Sequence, residues 1–280
     1  MHAIFLSVLL AALPGPQQAA DAPPAIDRAF QRMYNFDFAG MHKILDEYVR
    51  AHAEDPLAYS TRAGAYLFSE LYRLKILETD FFIDDNQVTD RKRWKPDPAV
   101  RAQLFQMTGE ARKRAAAVLK SAPNDRNAMF AMCMATGIET DYTILVEKKY
   151  FRSFSLSRES QGYARRLLAL NPPIHDAYLT LGMVEYVVGN MNWFFRLFVR
   201  FDQIEGSKQK AVENLKNVVA GGRYYPPMAK ILLSVIYLRE QQPAMALTLL
   251  TELERDFPEN PLIRSEARKA ADRLGRVKKR

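Results

Sequence analysis

Apolar side chains recur through most of this chain at the three-and-four spacing of a helix face, in stretches separated by proline-bearing turns. Phe38, Met41, Leu45, Tyr48 and Val49 form one such stripe. Ala111, Ala115, Val118 and Leu119 form a second, Ala164, Leu167 and Leu168 a third, and Ala246, Leu250 and Leu253 a fourth. That spacing places each set on one side of a helix and predicts an all-α chain. The interruptions are Ala53-Glu54-Asp55-Pro56, Ala122-Pro123-Asn124-Asp125, Asn171-Pro172-Pro173 and Phe257-Pro258-Glu259-Asn260-Pro261. Proline cannot continue a helix but can start one, so each turn ends one helix and opens the next.

Read in order, the stripes pair into units. Ala25 to Tyr34 and the helix after Phe36 make the first, with Met41 where a small residue would pack more closely. A long helix from Pro56 to about Leu77 and a partner beginning near Pro98 make the second. Asn124 opens the third, which carries Met132, Cys133 and Thr136, then Ser160 and Ala164. Tyr178–Val188 with Ser207–Val219 makes the fourth, closing on Gly221-Gly222, a helix C-terminal signal. Leu233-Ser234 and Tyr237 followed by Ala246 make the fifth, and residues 260–274 read as a polar-faced capping helix. Three turns inside these units are lengthened, at about 79–97, 139–153 and 190–206.

The fourth and fifth units carry a recognisable pattern. Tyr178-x-x-Leu181-Gly182, Gly189 and Ala211-x3-Leu215-x2-Val218 resemble the two helices of a tetratricopeptide (TPR) unit. The fifth repeats the pattern, with Ser234 in place of the glycine. The resemblance is strong over residues 174–261 and weak over 57–160. The chain looks most similar to exported bacterial TPR proteins with an aromatic insertion ahead of Gly206-Ser207-Lys208. It implies a right-handed α-solenoid of about five TPR-like hairpins over residues 23–280, with a C-terminal capping helix. It further implies a scaffold that binds a protein or peptide partner, and no reaction. The first helix of each unit would line a concave side, exposing Asp176, Leu179, Met183, Tyr186 and Val187, then Met228, Ile231, Val235, Leu238 and Arg239. Most of these are apolar, which argues against a clamp for peptide carboxylates and requires that something cover the groove.

The insertion in the fourth unit places about 17 residues ahead of the small residue at Ala211. As a helix, its Asn192, Arg196 and Arg200 form one narrow polar stripe, and apolar residues cover the rest. Three uses fit that composition: filling the apolar groove, anchoring a partner through clustered Trp, Phe and Arg, or lying in a membrane interface. It is too short to span a bilayer. The groove-filling or partner-binding set is therefore Trp193, Phe194, Phe195, Phe198 and Phe201 with Met183, Tyr186, Val235 and Leu238.

Composition changes the picture at both ends. Residues 3–13 are an apolar run of secretory length, followed by a small-x-small site at Ala20-Asp21-Ala22. This predicts a signal peptide over residues 1–22 and export to the periplasm or cell envelope; the alternative is an apolar N-terminus on a cytoplasmic chain. The net charge is +8, and removal of residues 1–22 raises it to +9. Residues 264–280 hold eight basic and two acidic residues, so the body is close to balanced and no nucleic-acid groove is expected. Cys133 is the only cysteine, which excludes an intramolecular disulfide. Beyond the first residues the histidines are His42, His52 and His175, and none has a partner at metal-ligand spacing. Asp80, Asp84, Asp85, Asn86 and Asp90 cluster without the alternation of a calcium loop. With no nucleophile elbow or phosphate-binding glycine loop either, the expectation is a non-enzyme without cofactor; the alternative is an enzyme working through paired acids such as Glu139 and Asp141.

Overall fold

The computed structural model describes residues 24–83, 95–190 and 206–278. Twelve α-helices account for most of them: α1 (Pro24–Tyr34), α2 (Phe38–Ala51), α3 (Pro56–Arg73), α4 (Thr79–Ile83), α5 (Pro98–Ser121) and α6 (Arg126–Asp141). There follow α7 (Tyr150–Leu168), α8 (Tyr178–Asn190), α9 (Lys208–Gly221), α10 (Pro226–Arg239), α11 (Pro243–Asp256) and α12 (Pro261–Lys278). A π-helical turn spans Tyr142–Val146, a 3-10 turn spans His175–Ala177, and the described residues contain no strand.

Local chemistry explains where the helices start. Asp55 and Asp97 precede Pro56 and Pro98, and each carboxylate accepts the backbone N–H two residues on, at 3.0 and 2.8 Å. Asp37, Asp125 and Ser207 cap α2, α6 and α9 in the same manner through Gly40, Ala128 and Lys210. Such a side chain satisfies a donor that the first helical turn leaves without a partner. The long helix expected to reach Leu77 ends earlier, at Arg73. Lys75 takes a left-handed backbone (φ 61°) there, and Ile76 N–H bonds back to the carbonyl of Leu71, closing the helix end.

Helices pack in chain order: α1 on α2, α3 on α5, α6 on α7, α8 on α9, α10 on α11, and α12 on α11. Small residues let the pairs approach. Ala111, Ala115, Ala164, Ala211, Ala229 and Ala246 are fully buried. At Gly182 an added Cβ would sit 3.2 Å from both the carbonyl oxygen of Ala211 and Cγ of Leu215, so α8 and α9 meet backbone to side chain.

Other contacts join distant parts of the chain. The rings of Phe30 (α1) and Phe130 (α6) both stack on Tyr224, in the turn between α9 and α10, with centroids 4.7 and 5.7 Å away. Arg223 in the same turn forks onto Asp27 of α1 at 2.9 and 2.8 Å. Asn260 donates to the carbonyl of Tyr34 at 2.7 Å while its side-chain oxygen caps α12. Thr79 donates to the buried Glu266 of α12, and Asp80 pairs with Arg273 and Lys269. The first helix is therefore tied to the α9–α10 and α11–α12 turns and the segment at α4 to α12, beyond the nearest-neighbour contacts of a simple repeat array.

Candidate functional site

The residues singled out from the pattern fall into three groups. Met183 and Tyr186, on α8, are half-buried, and Val187 beside them is 40% exposed. Val235 and Leu238, on α10, are 6% and 3% exposed, so neither lines an open groove. The first lengthened turn lays α4 against the same helix, with Arg239 donating to the carbonyl of Phe82. Trp193, Phe194, Phe195, Phe198 and Phe201 lie outside the described residues, as do Asp84, Asp85, Asn86, Asp90 and the N-terminal apolar run. Asp176 also departs from the expected open face. It is buried and its carboxylate accepts the backbone N–H groups of Arg223, Tyr224 and Tyr225 at 2.7–2.8 Å. Burial pushes its pKa above the ordinary carboxylate value, against the lowering effect of those donors.

The ends of the aromatic insertion are described, and they meet. Gly206 takes a left-handed backbone (φ 67°), and a Cβ on Gly189 would stand 2.8 Å from the carbonyl oxygen of Gly206. Glu185 of α8 accepts the N–H of Ser207, the cap of α9, at 2.8 Å. The chain thus leaves α8 and re-enters α9 through a close neck at Gly189 and Gly206, where the absence of a Cβ on Gly189 permits the approach. Next to the neck, Val184 and Val188 of α8 pack with Phe154 of α7 in a small apolar cluster separate from the main core. Phe151, whose ring meets Phe154 edge-on at 6.3 Å, is 88% exposed. Sequence reasoning missed Phe151, because it fell within the lengthened turn at about 139–153, which read as spacer.

A buried polar cluster lies where α3, α5 and the π-helical turn meet. Glu70 is fully buried, holds the guanidinium of Arg73 in a fork at 2.8 Å on both bonds, and accepts the N–H of Asp97 at 2.8 Å. Arg101 and Lys149 pair with Glu147 at 2.7 and 3.1 Å. Between them sits the fully buried Tyr142, whose phenol is pushed up to about 12 by burial and by the charges of Glu70 and Glu147. Every carboxylate here is matched by a cation, so the cluster holds helix ends together. The lengthened turn after α6 supplies Tyr142, Glu147 and Lys149, which is a structural role for residues that looked like spacer.

The remaining candidates for chemistry lie against other side chains, with His52 at the surface. Cys133 is buried against Ser160 and Thr180 (3.5 Å to the threonine hydroxyl), and burial raises its thiol pKa, which suppresses the reactive thiolate. His42 lies against Tyr66 and His52 stacks on Tyr48. Among the described residues no three His, Cys, Asp or Glu side chains gather so that they could hold a metal ion, and no helix is long and apolar enough to cross a membrane. Comparison with protein-family models, with curated proteins and with solved structures returns no match.

Proposed function

We propose that this protein is an exported TPR-like solenoid acting as a non-catalytic scaffold for a protein or peptide partner in the bacterial cell envelope. The segment between α8 and α9 would supply the grip. The observation that carries this reading is the neck: Gly189 and Gly206 touch, and Gly182 keeps α8 and α9 packed below them. Residues 191–205 therefore start and finish at one point of an already paired helix unit, and their sequence concentrates Trp, Phe and Arg. Those residue types dominate binding energy at protein interfaces. Among the described helices, all but α4 pack against a neighbour in chain order, which supports the solenoid part of the reading.

Affinity capture from envelope fractions tests it. The wild-type chain retains a defined partner, and the chain with Trp193→Ser and Phe198→Ser loses it at unchanged helical content. Retention of the same partner by that variant would exclude residues 191–205 as the anchor.

A further inference from the structure

We propose that the N-terminal end of α7 is a lipid-facing surface that seats the protein on an anionic bilayer. The inference concerns residues outside the 191–205 segment and stands apart from the scaffold reading.

Phe151 is the most exposed of the large apolar side chains among the described residues, well beyond Met245, Tyr72 and Val187. Its surroundings are cationic. Of the four basic residues in 147–158, Lys148 is buried over the Phe81 ring, while Lys149, Arg152 and Arg158 are exposed; the one acid, Glu147, is already engaged by Arg101 and Lys149. Lys149 and Arg152, on either side of the Tyr150-Phe151 pair, are exposed. No side chain caps the start of α7, so the positive end of a 19-residue helix lies at the same point. An aromatic ring standing clear of the surface, flanked by lysine and arginine, suits the headgroup layer. The ring enters the acyl boundary while the cations meet phosphates.

A protein partner fits less well. A stable interface hides about 800 Å² per side around an apolar centre. Among the described residues the apolar surface here narrows to one projecting ring, because Phe154 behind it is already committed to Val184 and Val188. Shallow insertion needs one projecting ring and its cations, whereas a dimer needs breadth.

Co-sedimentation of the full chain with vesicles tests the proposal, using phosphatidylcholine alone and phosphatidylcholine mixed with phosphatidylglycerol. Binding is expected to the mixture only, weakening as salt rises. Phe151→Ser should bind on the order of tenfold more weakly, from the lost burial of one aromatic ring, while Phe151→Trp retains binding. Arg152→Glu should weaken binding to the anionic vesicles. The Phe151 comparison is repeated with Trp193→Ser and Phe194→Ser in place, so that a difference belongs to α7 and not to the insertion. The proposal is overturned if Phe151→Ser binds as the wild type does, or if the wild type binds neither vesicle. It is equally overturned if Phe151→Ser lowers the melting temperature by several degrees, which would make the ring part of the packing. A change of oligomeric state without vesicles would show that a second copy covers the ring, and would overturn it too.

Discussion

The phenol of Tyr34, at the end of α1, donates a hydrogen bond to the backbone carbonyl of Tyr224 at 2.9 Å, 190 positions further along the chain. Both residues are buried, and Tyr224 is also clasped from the other side, its N–H donating to Asp176. One turn therefore joins α1, the start of α8 and the α9–α10 connection. Tyr34→Phe removes the donor and leaves the Tyr224 carbonyl without this partner. The expected cost is about 1–3 kcal/mol, read as a lower midpoint in thermal or urea unfolding.

Asp176 offers a sharper change. Its Oδ1 accepts from Tyr224 and Tyr225 and its Oδ2 from Arg223. Asp176→Asn preserves the shape but turns one acceptor into a donor facing an N–H group. A loss of about 1–3 kcal/mol is expected, comparable to Asp176→Ala despite the closer match in size. Equal stability of Asp176→Asn and wild type in urea melts would contradict this role.

The interior charges predict a pH dependence. Burial alone would raise the pKa of Glu147, but Arg101 and Lys149 outweigh it and hold the carboxyl below its ordinary value. A carboxylate depressed in the folded state contributes stability above its unfolded pKa, about 4.3, and loses it as pH falls through the folded value. The gap in melting temperature between wild type and Glu147→Gln should be widest near neutrality and shrink on acidification to below about pH 4. A gap that stays constant over this range would show that the ion pairs contribute nothing.

The neck gives a local prediction. Gly189→Val places a branched side chain where even a Cβ comes within 2.8 Å of the Gly206 carbonyl. It should spread the ends of α8 and α9 and speed proteolytic cleavage within 191–205, with a stability loss of about 1–3 kcal/mol. Val187→Ala, two positions away and exposed, should change neither readout.

Much of the helical framework was legible in the sequence because each helix announces itself locally. The Asp-Pro pairs at Asp55-Pro56 and Asp97-Pro98 start helices by a mechanism confined to four residues, and the apolar stripes mark which face is hidden. What covers a face is a different question. The stripe through Val235 and Leu238 is the same whether it is covered or faces solvent, so their burial could not be read from spacing. The Tyr34–Tyr224 bond joins residues with no local sign of each other, and Asp176 looks like any surface acid until the turn it serves is known. Lys148 shows a related limit. Its left-handed backbone (φ 57°) at the end of the π-helical turn redirects the chain into α7, and no glycine marks the place.

The central claim is that the described helices form a self-sufficient frame to which residues 191–205 are added through a neck. Thermal unfolding of a chain in which a short Gly-Ser linker replaces 191–205 tests it most directly. The account predicts one cooperative transition within about 3 °C of the wild type, the effect of roughly 1 kcal/mol in a chain this long. If the five aromatic side chains of that segment instead complete the core, each burial lost would remove about 1.5–3 kcal/mol. The melting temperature would then fall by more than about 15 °C, or the transition would lose its cooperativity, and the account would be contradicted.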